Sequence, residues 1–136
     1  MQYSVFKRYS FDAAHRLANG YVGKCANIHG HTWTVEFELV GSGLNKQGML
    51  FDFGDFKPLK TWIDENLDHA IMICKEDSDV TEFVAKKGWK HFEFNENPTS
   101  EYLAHYLLQL GRNVFNIPLK SVTVQETCTA EAKCSD

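Results

Sequence analysis

The sequence has no excess of positive charge and no long apolar run. It contains 14 Lys and Arg against 18 Asp and Glu, a formal net charge of −4 at pH 7. This balance argues against a protein that binds nucleic acid or an anionic membrane through bulk positive charge. No apolar run approaches the roughly 20 residues that a membrane-spanning helix needs. We therefore expect no nucleic-acid or membrane partner and favour a small-molecule ligand.

The chain also lacks repeats, low-complexity tracts and linkers rich in Pro, Gly or Ser. Its 136 residues, 43% hydrophobic and 24% charged, suit one globular domain, so we expect a single domain over residues 1–136. The first residues do not combine a charged start with an apolar stretch, so we expect no secretory signal. The four cysteines are unevenly spaced, which argues against a disulfide framework. These features predict a cytoplasmic protein with reduced thiols.

Several segments have the period of two that is typical of β-strands. Residues 3–11 are rich in aromatic and β-branched side chains and predict a first strand. From His31 to Leu39 apolar and polar residues alternate, which predicts a half-buried antiparallel strand. Residues 48–53 predict a strand that returns as a hairpin partner, and residues 121–126 predict the last strand.

Two long helices are predicted from apolar residues that recur three and four positions apart. The first begins near Asp55 and has Pro58 in its first turn, where the missing N–H costs little. The second has either Asn97 or Thr99 as its N-terminal cap, and Gly111 is a candidate stop.

The pattern is weakest over residues 75–96. Residues 79–87 suit a short helix that Gly88 ends, and residues 89–94 suit a short strand. Four or more antiparallel strands with two long helices predict an α+β domain of two layers.

Three of the six histidines, His15, His29 and His31, fall within 17 residues. On an extended chain His29 and His31 point to one face, which they share with Trp33. His15 follows the first strand and reaches the pair if the two strands are neighbours. Three imidazoles with an open fourth position are typical of a catalytic zinc site. The alternative is three polar residues that cap strands, but the close pair plus a third histidine favours a metal.

Four further residues at three places in the chain are acid–base candidates, and each place has a structural alternative. Cys25 would ionise more readily beside a zinc ion, although a small buried hydrophobe is the usual role of a cysteine. Asp68 could set the tautomer of His69, although a solvated pair at a helix end is as good an interpretation. Glu126 lies on the buried face of the last strand and needs a partner. That partner is either a ligand with paired N–H donors or a buried basic residue.

Five short segments carry a family resemblance when taken together. They are FDAAHRL at 11–17, CANIHGH at 25–31, LDH at 67–69, NPTSE at 97–101 and QETCT at 125–129. Their order and spacing resemble those of the 6-pyruvoyl-tetrahydropterin synthases and the related 6-carboxy-tetrahydropterin synthases. The resemblance covers nearly the whole chain.

The resemblance implies roles for individual residues. The zinc ligands would be His15, His29 and His31. Cys25 would be the general base, and Asp68 and His69 would complete its proton relay.

The same resemblance implies a pterin pocket. Glu126 would accept hydrogen bonds from the guanidine-like edge of the pterin ring and would also take part in the relay. Thr99 and Glu101 would be secondary pterin contacts. The substrate would be a small-molecule pterin triphosphate.

The family's fold is called the tunnelling fold, an antiparallel four-stranded sheet with two helices on one face. Three subunits close their sheets into one barrel, and two barrels stack into a homohexamer. The resemblance therefore implies that the active site lies between subunits and that a monomer is inactive.

Within the family, one spacing indicates the branch. Three residues separate Cys25 from His29, as in the bacterial carboxy-forming enzymes of queuosine biosynthesis, although residues 131–134 lack the aromatic ending of that branch. This resemblance implies a lyase that converts 7,8-dihydroneopterin triphosphate to 6-carboxy-tetrahydropterin and releases acetaldehyde and triphosphate. The pyruvoyl-forming reaction on the same substrate is the nearest alternative. A non-catalytic, zinc-binding oligomeric module is the alternative from another class.

Overall fold

The structure, a computed structural model, describes all residues from 1 to 136 and centres on a six-stranded mixed sheet. The strands are β1 (Tyr3–His15), β2 (His29–Gly41), β3 (Ala70–Cys74), β4 (His91–Phe94), β5 (Ser121–Thr127) and β6 (Ala130–Ser135). Their spatial order is β4-β3-β1-β2-β5-β6. Neighbouring strands pair antiparallel except at β1–β3 and β3–β4, which are parallel.

Three helices complete the chain, α1 (Lys57–Asn66), α2 (Ser78–Lys87) and α3 (Ser100–Asn113). Buried residues of α1 and α3 share the main core with the inward face of β1, β2 and β5. Helix α2 contributes to a separate small cluster, where Val80 and Val84 pack with Ile73 of β3. None of the helices has the length and apolarity needed to cross a membrane.

The predicted alternation of β2 is confirmed by its burial. Trp33, Val35 and Phe37 are fully buried, whereas Thr34 and Glu36 between them are only partly covered. Each large apolar side chain stabilises the fold by about 1.5–3 kcal/mol relative to exposure. The inward face of β2 is therefore strongly specified.

The helix predictions are largely confirmed. Pro58 lies in the first turn of α1, and Gly88 ends α2 in the left-handed conformation at φ 69°. Thr99 is the cap of α3, because its hydroxyl accepts a hydrogen bond from the Tyr102 N–H at 3.1 Å. Asn97 has another role: its amide both donates to and accepts from the backbone of Ala18 at 3.1 Å.

The α+β class is confirmed, but the expected four-stranded antiparallel sheet with two helices is wrong. The sheet has six strands of mixed direction, and there are three helices. Strand β3 is a continuous apolar run without alternation, so its pattern does not distinguish it from buried helix. Strand β6 is mostly exposed, and its alternating apolar residues are only the small Ala130, Ala132 and Cys134, so its hydrophobic signal is weak.

The predicted strand over residues 48–53 is also wrong. The Asn45 side-chain oxygen accepts hydrogen bonds from the Gln47 and Met49 N–H groups at 2.9 and 3.0 Å, which closes a local turn. Gly48 takes φ 82° within it, a conformation that glycine adopts at little cost. The apolar side chains that follow still pack against the core, but from a loop.

Gly111 lies inside α3 and does not end it, contrary to the prediction. A Cβ at this position would lie 2.4 Å from Leu119 Cδ1, and Leu119 is buried. The glycine therefore permits close packing between the helix and the segment that leads into β5.

We expect Gly111→Ala to lower the free energy of unfolding by about 1–3 kcal/mol, because it overpacks the contact with Leu119. This sign opposes the gain of about 1 kcal/mol that alanine gives in an unconstrained helix. Chemical denaturation of the two proteins measures the difference.

The double variant is the control. In a Leu119→Ala background the added methyl group meets open space, so Gly111→Ala should become neutral or stabilising. Stabilisation of the wild-type chain by Gly111→Ala would contradict the packing argument.

Candidate metal centre and cavity

Four side chains that can ligate a metal converge at one end of the sheet. The ligating atoms of His15, His29, His31 and Glu126 all lie within 4.8 Å of one another. The pairing of β1 with β2 sets His15 opposite His29 and Ala13 opposite His31. His15 is thus the last residue of β1 and not, as expected, beyond it.

Two backbone carbonyls determine which ring nitrogens face inward. His15 Nδ1 lies 2.8 Å from the Pro98 carbonyl oxygen, and His29 Nδ1 lies 2.7 Å from that of Asn27. A carbonyl only accepts, so in the neutral rings Nδ1 carries the proton and Nε2 keeps its lone pair. This is the tautomer that ligates a metal through Nε2.

The inward nitrogens have no hydrogen-bond partner within the chain. The Nε2 atoms of all three histidines are buried and make no hydrogen bond. Glu126 Oε1 lies 3.0 Å from His15 Nε2 and 2.9 Å from His31 Nε2, but neither contact has hydrogen-bond geometry. Buried polar atoms without partners are rare in folded proteins. A cation between these four side chains would satisfy them, so the donor set fits a metal.

Burial favours the form of His15 that binds cations. Burial lowers the pKa of His15, and the nearby His29 and His31 rings lower it further, against the Pro98 carbonyl and Glu126, which raise it. The neutral imidazole of His15 is therefore favoured, and only a neutral ring can ligate a metal.

The buried Trp33 ring packs against two rings of the histidine cluster. Its ring centroid lies 4.9 Å from that of His15 and 5.3 Å from that of His31, nearly perpendicular to both. Its indole N–H donates to the Ala13 carbonyl at 3.1 Å, so its only polar atom is satisfied. The buried indole thereby holds the histidine end of the two strands together.

A cavity of about 190 Å³ opens beside the cluster. It is lined by His15, Leu17, Cys25, Thr99, Ser100, Glu101, Glu126, Ala130 and Glu131. Five of these nine are residues that the sequence singled out: His15, Cys25, Thr99, Glu101 and Glu126. The structure thus places the Cys25 thiol, the carboxylates of Glu101 and Glu126, and the His15 ring around one cavity.

Two sets of hydrogen bonds, one between backbone groups and one from a side-chain amide, bring the Cys25 loop to this cavity. The Leu17 N–H donates to the Cys25 carbonyl at 2.8 Å, which closes the loop between β1 and β2. The Asn97 amide then joins Ala18 to the segment that begins α3. Thr99, which caps α3, therefore lines the same wall as Cys25.

The structure does not bring Asp68 and His69 into this cavity. They lie in the turn between α1 and β3, where Asp68 Oδ2 is 2.9 Å from His69 Nδ1. The Asp12 N–H, followed by His69, lowers the pKa of Asp68. The His69 side chain is 76% exposed and faces away from the chain's own core.

Some site residues had no signal in the sequence. The Pro98 and Asn27 carbonyls act through the backbone, which no residue pattern reveals. Ser100 lies next to Thr99 in the NPTSE segment, so that motif could have predicted it as a cavity residue. Glu131 lies in the segment 131–134, where the family resemblance sets the C-terminal wall of the pocket, but no motif singled out this residue.

Comparison with known proteins identifies the family. The family model of 6-pyruvoyl tetrahydropterin synthase matches residues 4–136. The chain is 35% identical over 123 residues to the 6-carboxy-5,6,7,8-tetrahydropterin synthase of Rickettsia felis, covering 84% of this chain and 88% of the relative. It is 31% identical over 136 residues to the enzyme of the same name from Haemophilus influenzae, covering 94% and 95%.

Solved structures share the fold. An uncharacterized protein from Wolinella succinogenes superposes with a TM-score of 0.86 at 23% identity, covering 100% of this chain and 99% of that chain. The 6-pyruvoyl tetrahydropterin synthase of Caenorhabditis elegans superposes with a TM-score of 0.75 at 24% identity, covering 100% and 96%. The predicted family resemblance is confirmed by the family model and by the curated relatives. The chain belongs to the 6-pyruvoyl tetrahydropterin synthase family.

Proposed function

We propose that the chain is a zinc-dependent carbon–carbon lyase that converts 7,8-dihydroneopterin triphosphate to 6-carboxy-5,6,7,8-tetrahydropterin, releasing acetaldehyde and triphosphate. The reaction would be an early step toward queuosine, in the cytoplasm. The observation that carries the proposal is the set of three buried Nε2 atoms without hydrogen-bond partners, beside a cavity that contains Cys25. The relatives named 6-carboxy-5,6,7,8-tetrahydropterin synthase support the same activity.

Zinc suits the donor set. His15, His29 and His31 would hold the ion through Nε2, and three protein nitrogens with room for a further ligand are typical of catalytic zinc. A bound zinc ion supplies a Lewis acid that makes hydroxyl groups of the substrate side chain more acidic.

Cys25 would move protons next to the metal. It lines the cavity together with His15, so a substrate side chain that occupies this space would contact the thiol. A thiolate can accept a proton from a carbon or hydroxyl of the substrate, provided that it is close and correctly oriented.

Glu126 would recognise the pterin ring. Its carboxylate faces both the histidines and the cavity, which allows one group to contact the ring while the metal holds the substrate side chain. Ionised carboxylates accept strong hydrogen bonds from paired N–H donors. Thr99 and Glu101 would add contacts from the start of α3.

A second subunit would complete the site. Asp68 and His69 lie outside the cavity of their own chain, so a proton relay with Cys25 needs these residues from a neighbour. Residues 3–12 of β1 pair only with β2, and β6 is also an open strand, so the sheet has edges that a second copy can pair with. These edges support a barrel of three subunits, and we propose the homohexamer of two stacked trimers.

The pyruvoyl-forming reaction is the second candidate. It is favoured by the description of the matching family model. It keeps the carbons of the substrate side chain, so acetaldehyde distinguishes the two reactions. A non-catalytic zinc module is the remaining alternative, and it gives neither product.

We expect His29→Ala to lose bound metal and activity together, because it leaves only two of the three imidazoles that would hold the ion, with Glu126 assigned to the pterin ring. Metal content after dialysis, measured by mass spectrometry, checks this. Stoichiometric zinc in the variant would contradict the ligand assignment.

Two further variants make the metal experiment specific. His91→Ala removes an exposed imidazole outside the cluster and should keep the metal.

Glu126→Gln should also keep the metal, while pterin binding weakens by about 1.5–3 kcal/mol, the scale of a hydrogen bond to a charged group. Loss of metal in this variant would make Glu126 a ligand instead of the ring anchor.

Product analysis tests the reaction itself. With dihydroneopterin triphosphate we expect the zinc-loaded wild type to give acetaldehyde and a carboxylated tetrahydropterin, and Cys25→Ala to lose both, because the base is gone. Cys134→Ala is the matched control, since that thiol lies on β6 outside the cavity. A pyruvoyl product would replace the first candidate with the second. Absence of turnover by zinc-loaded oligomer would favour the binding module.

Mixing two inactive variants tests the shared site. If Cys25 and His69 act from different subunits, hybrids formed by refolding Cys25→Ala with His69→Ala regain activity. At equal proportions about a quarter of the sites combine both intact residues, so we expect about a quarter of wild-type activity. Complete inactivity of assembled hybrids would place both residues in one subunit's site.

A further inference from the structure

The turn that carries Asp68 and His69 has an unusual backbone conformation. His69 has φ 59°, in the left-handed region where a side chain crowds the backbone. Such residues persist when the surrounding structure holds them, and they cluster at functional sites. The contacts that hold this turn therefore bear on its function.

Strand β1 holds one side of the turn. The Asp12 N–H donates to Asp68 Oδ1 at 3.0 Å, and the Asp12 carbonyl accepts from the His69 N–H at 2.6 Å. The Thr32 hydroxyl of β2 donates to Asp12 Oδ1 at 2.6 Å. Backbone and side chain of the pair are thus both tied to β1.

Lys90 holds the other side. Its ammonium group donates to the Asp64 carbonyl at 2.9 Å and to the Asp68 carbonyl at 2.6 Å. These carbonyls lie at the end of α1, where a cation also interacts favourably with the helix dipole. The Lys90 carbonyl accepts from the Ile71 N–H at 3.1 Å, which fixes the lysine beside β3. Lys90 therefore bridges the last turn of α1 and the residue that precedes His69.

The ring of His69 is prepared for proton transfer outside its own chain. Asp68 Oδ2 accepts from Nδ1–H at 2.9 Å, so in the neutral ring Nε2 carries the lone pair. The side chain is 76% exposed, which leaves the ring accessible to a group from another molecule.

We infer that Lys90 is a positioning residue: it holds the Asp68–His69 turn in the conformation in which the His69 ring accepts and donates a proton. The inference rests on the proposed function, in which His69 serves the Cys25 site of a neighbouring subunit. Lys90 itself touches neither the cavity nor the metal-ligand candidates.

The first experiment compares steady-state kinetics of the zinc-loaded oligomers. Lys90→Met should lower kcat roughly 10- to 100-fold with little change in KM, because misplacing a catalytic group has effects of that size. It should also alter the pH profile of kcat. Lys90→Arg, which keeps donors for both carbonyls, should restore most of kcat. If Lys90→Met does not fold, Lys90→Gln takes its place.

Lys60→Met is the matched control. Like Lys90, Lys60 has its ammonium group beside Asp64. Lys60 lies on α1 itself, however, and binds only the Asp64 carboxylate, at 2.6 and 2.7 Å. Its removal should leave kcat and the pH profile unchanged. If Lys90→Met has the same kcat and the same pH profile as Lys60→Met, the inference is overturned. The proposed function would still stand in that case, provided that the wild type releases acetaldehyde.

A second measurement does not depend on turnover. Nitrogen-15 NMR of the ring should show His69 as the Nδ1–H tautomer in the wild type, with His69→Ala used to assign the signal. Lys90→Met should lose this preference, and Lys90→Arg should keep it. If the wild type has no activity, the proposed function fails, and the tautomer in Lys90→Met still decides whether Lys90 positions the ring.

Discussion

The register between β1 and β2 is the constraint on which the candidate site depends. It sets His15 opposite His29 and continues without a break to the far end of both strands. A slip by one residue would turn His29 and His31 to the other face of the sheet and expose Trp33 and Phe37 to water. The burial of these aromatic rings therefore fixes the histidine geometry, and the residues that stabilise the fold also build the site.

The sequence was sufficient where a single strand or helix determines the outcome. The shared face of His29, His31 and Trp33 follows from alternation within one strand, and the pattern of one helix limits its cap to Asn97 or Thr99. What failed depends on contacts between distant segments. Strand β3 does not alternate and is a strand because β1 and β4 pair with it. Strand β6 alternates only weakly, through small residues, and is defined by its pairing with β5. The cavity is of the same kind, since Cys25, Glu101 and Glu126 were grouped by family resemblance and not by spacing.

The histidine cluster has an energetic cost that a cation would offset. Leaving a buried polar atom unsatisfied costs about 1–3 kcal/mol. The three Nε2 atoms make no hydrogen bond, and Glu126 Oε1 contacts only those of His15 and His31, at 3.0 and 2.9 Å. The carbonyls of Pro98 and Asn27 hold the His15 and His29 rings in this orientation. The fold thus holds a preformed set of Nε2 donors, and a bound cation would satisfy all three. Binding of a metal to this set would stabilise the folded chain by mass action.

The two halves of the proposed catalytic machinery are separated by the sheet itself. His15 projects to the face that the helices cover, whereas the Asp68–His69 turn hydrogen-bonds to the backbone of Asp12, on the side of β1 away from β2. A side chain beside one edge of a strand cannot reach around it to a cavity on the covered face. Under the proposed function, the open edge of β1 therefore has two consequences. It offers pairing to a second chain, and it brings that chain to the place where His69 is exposed.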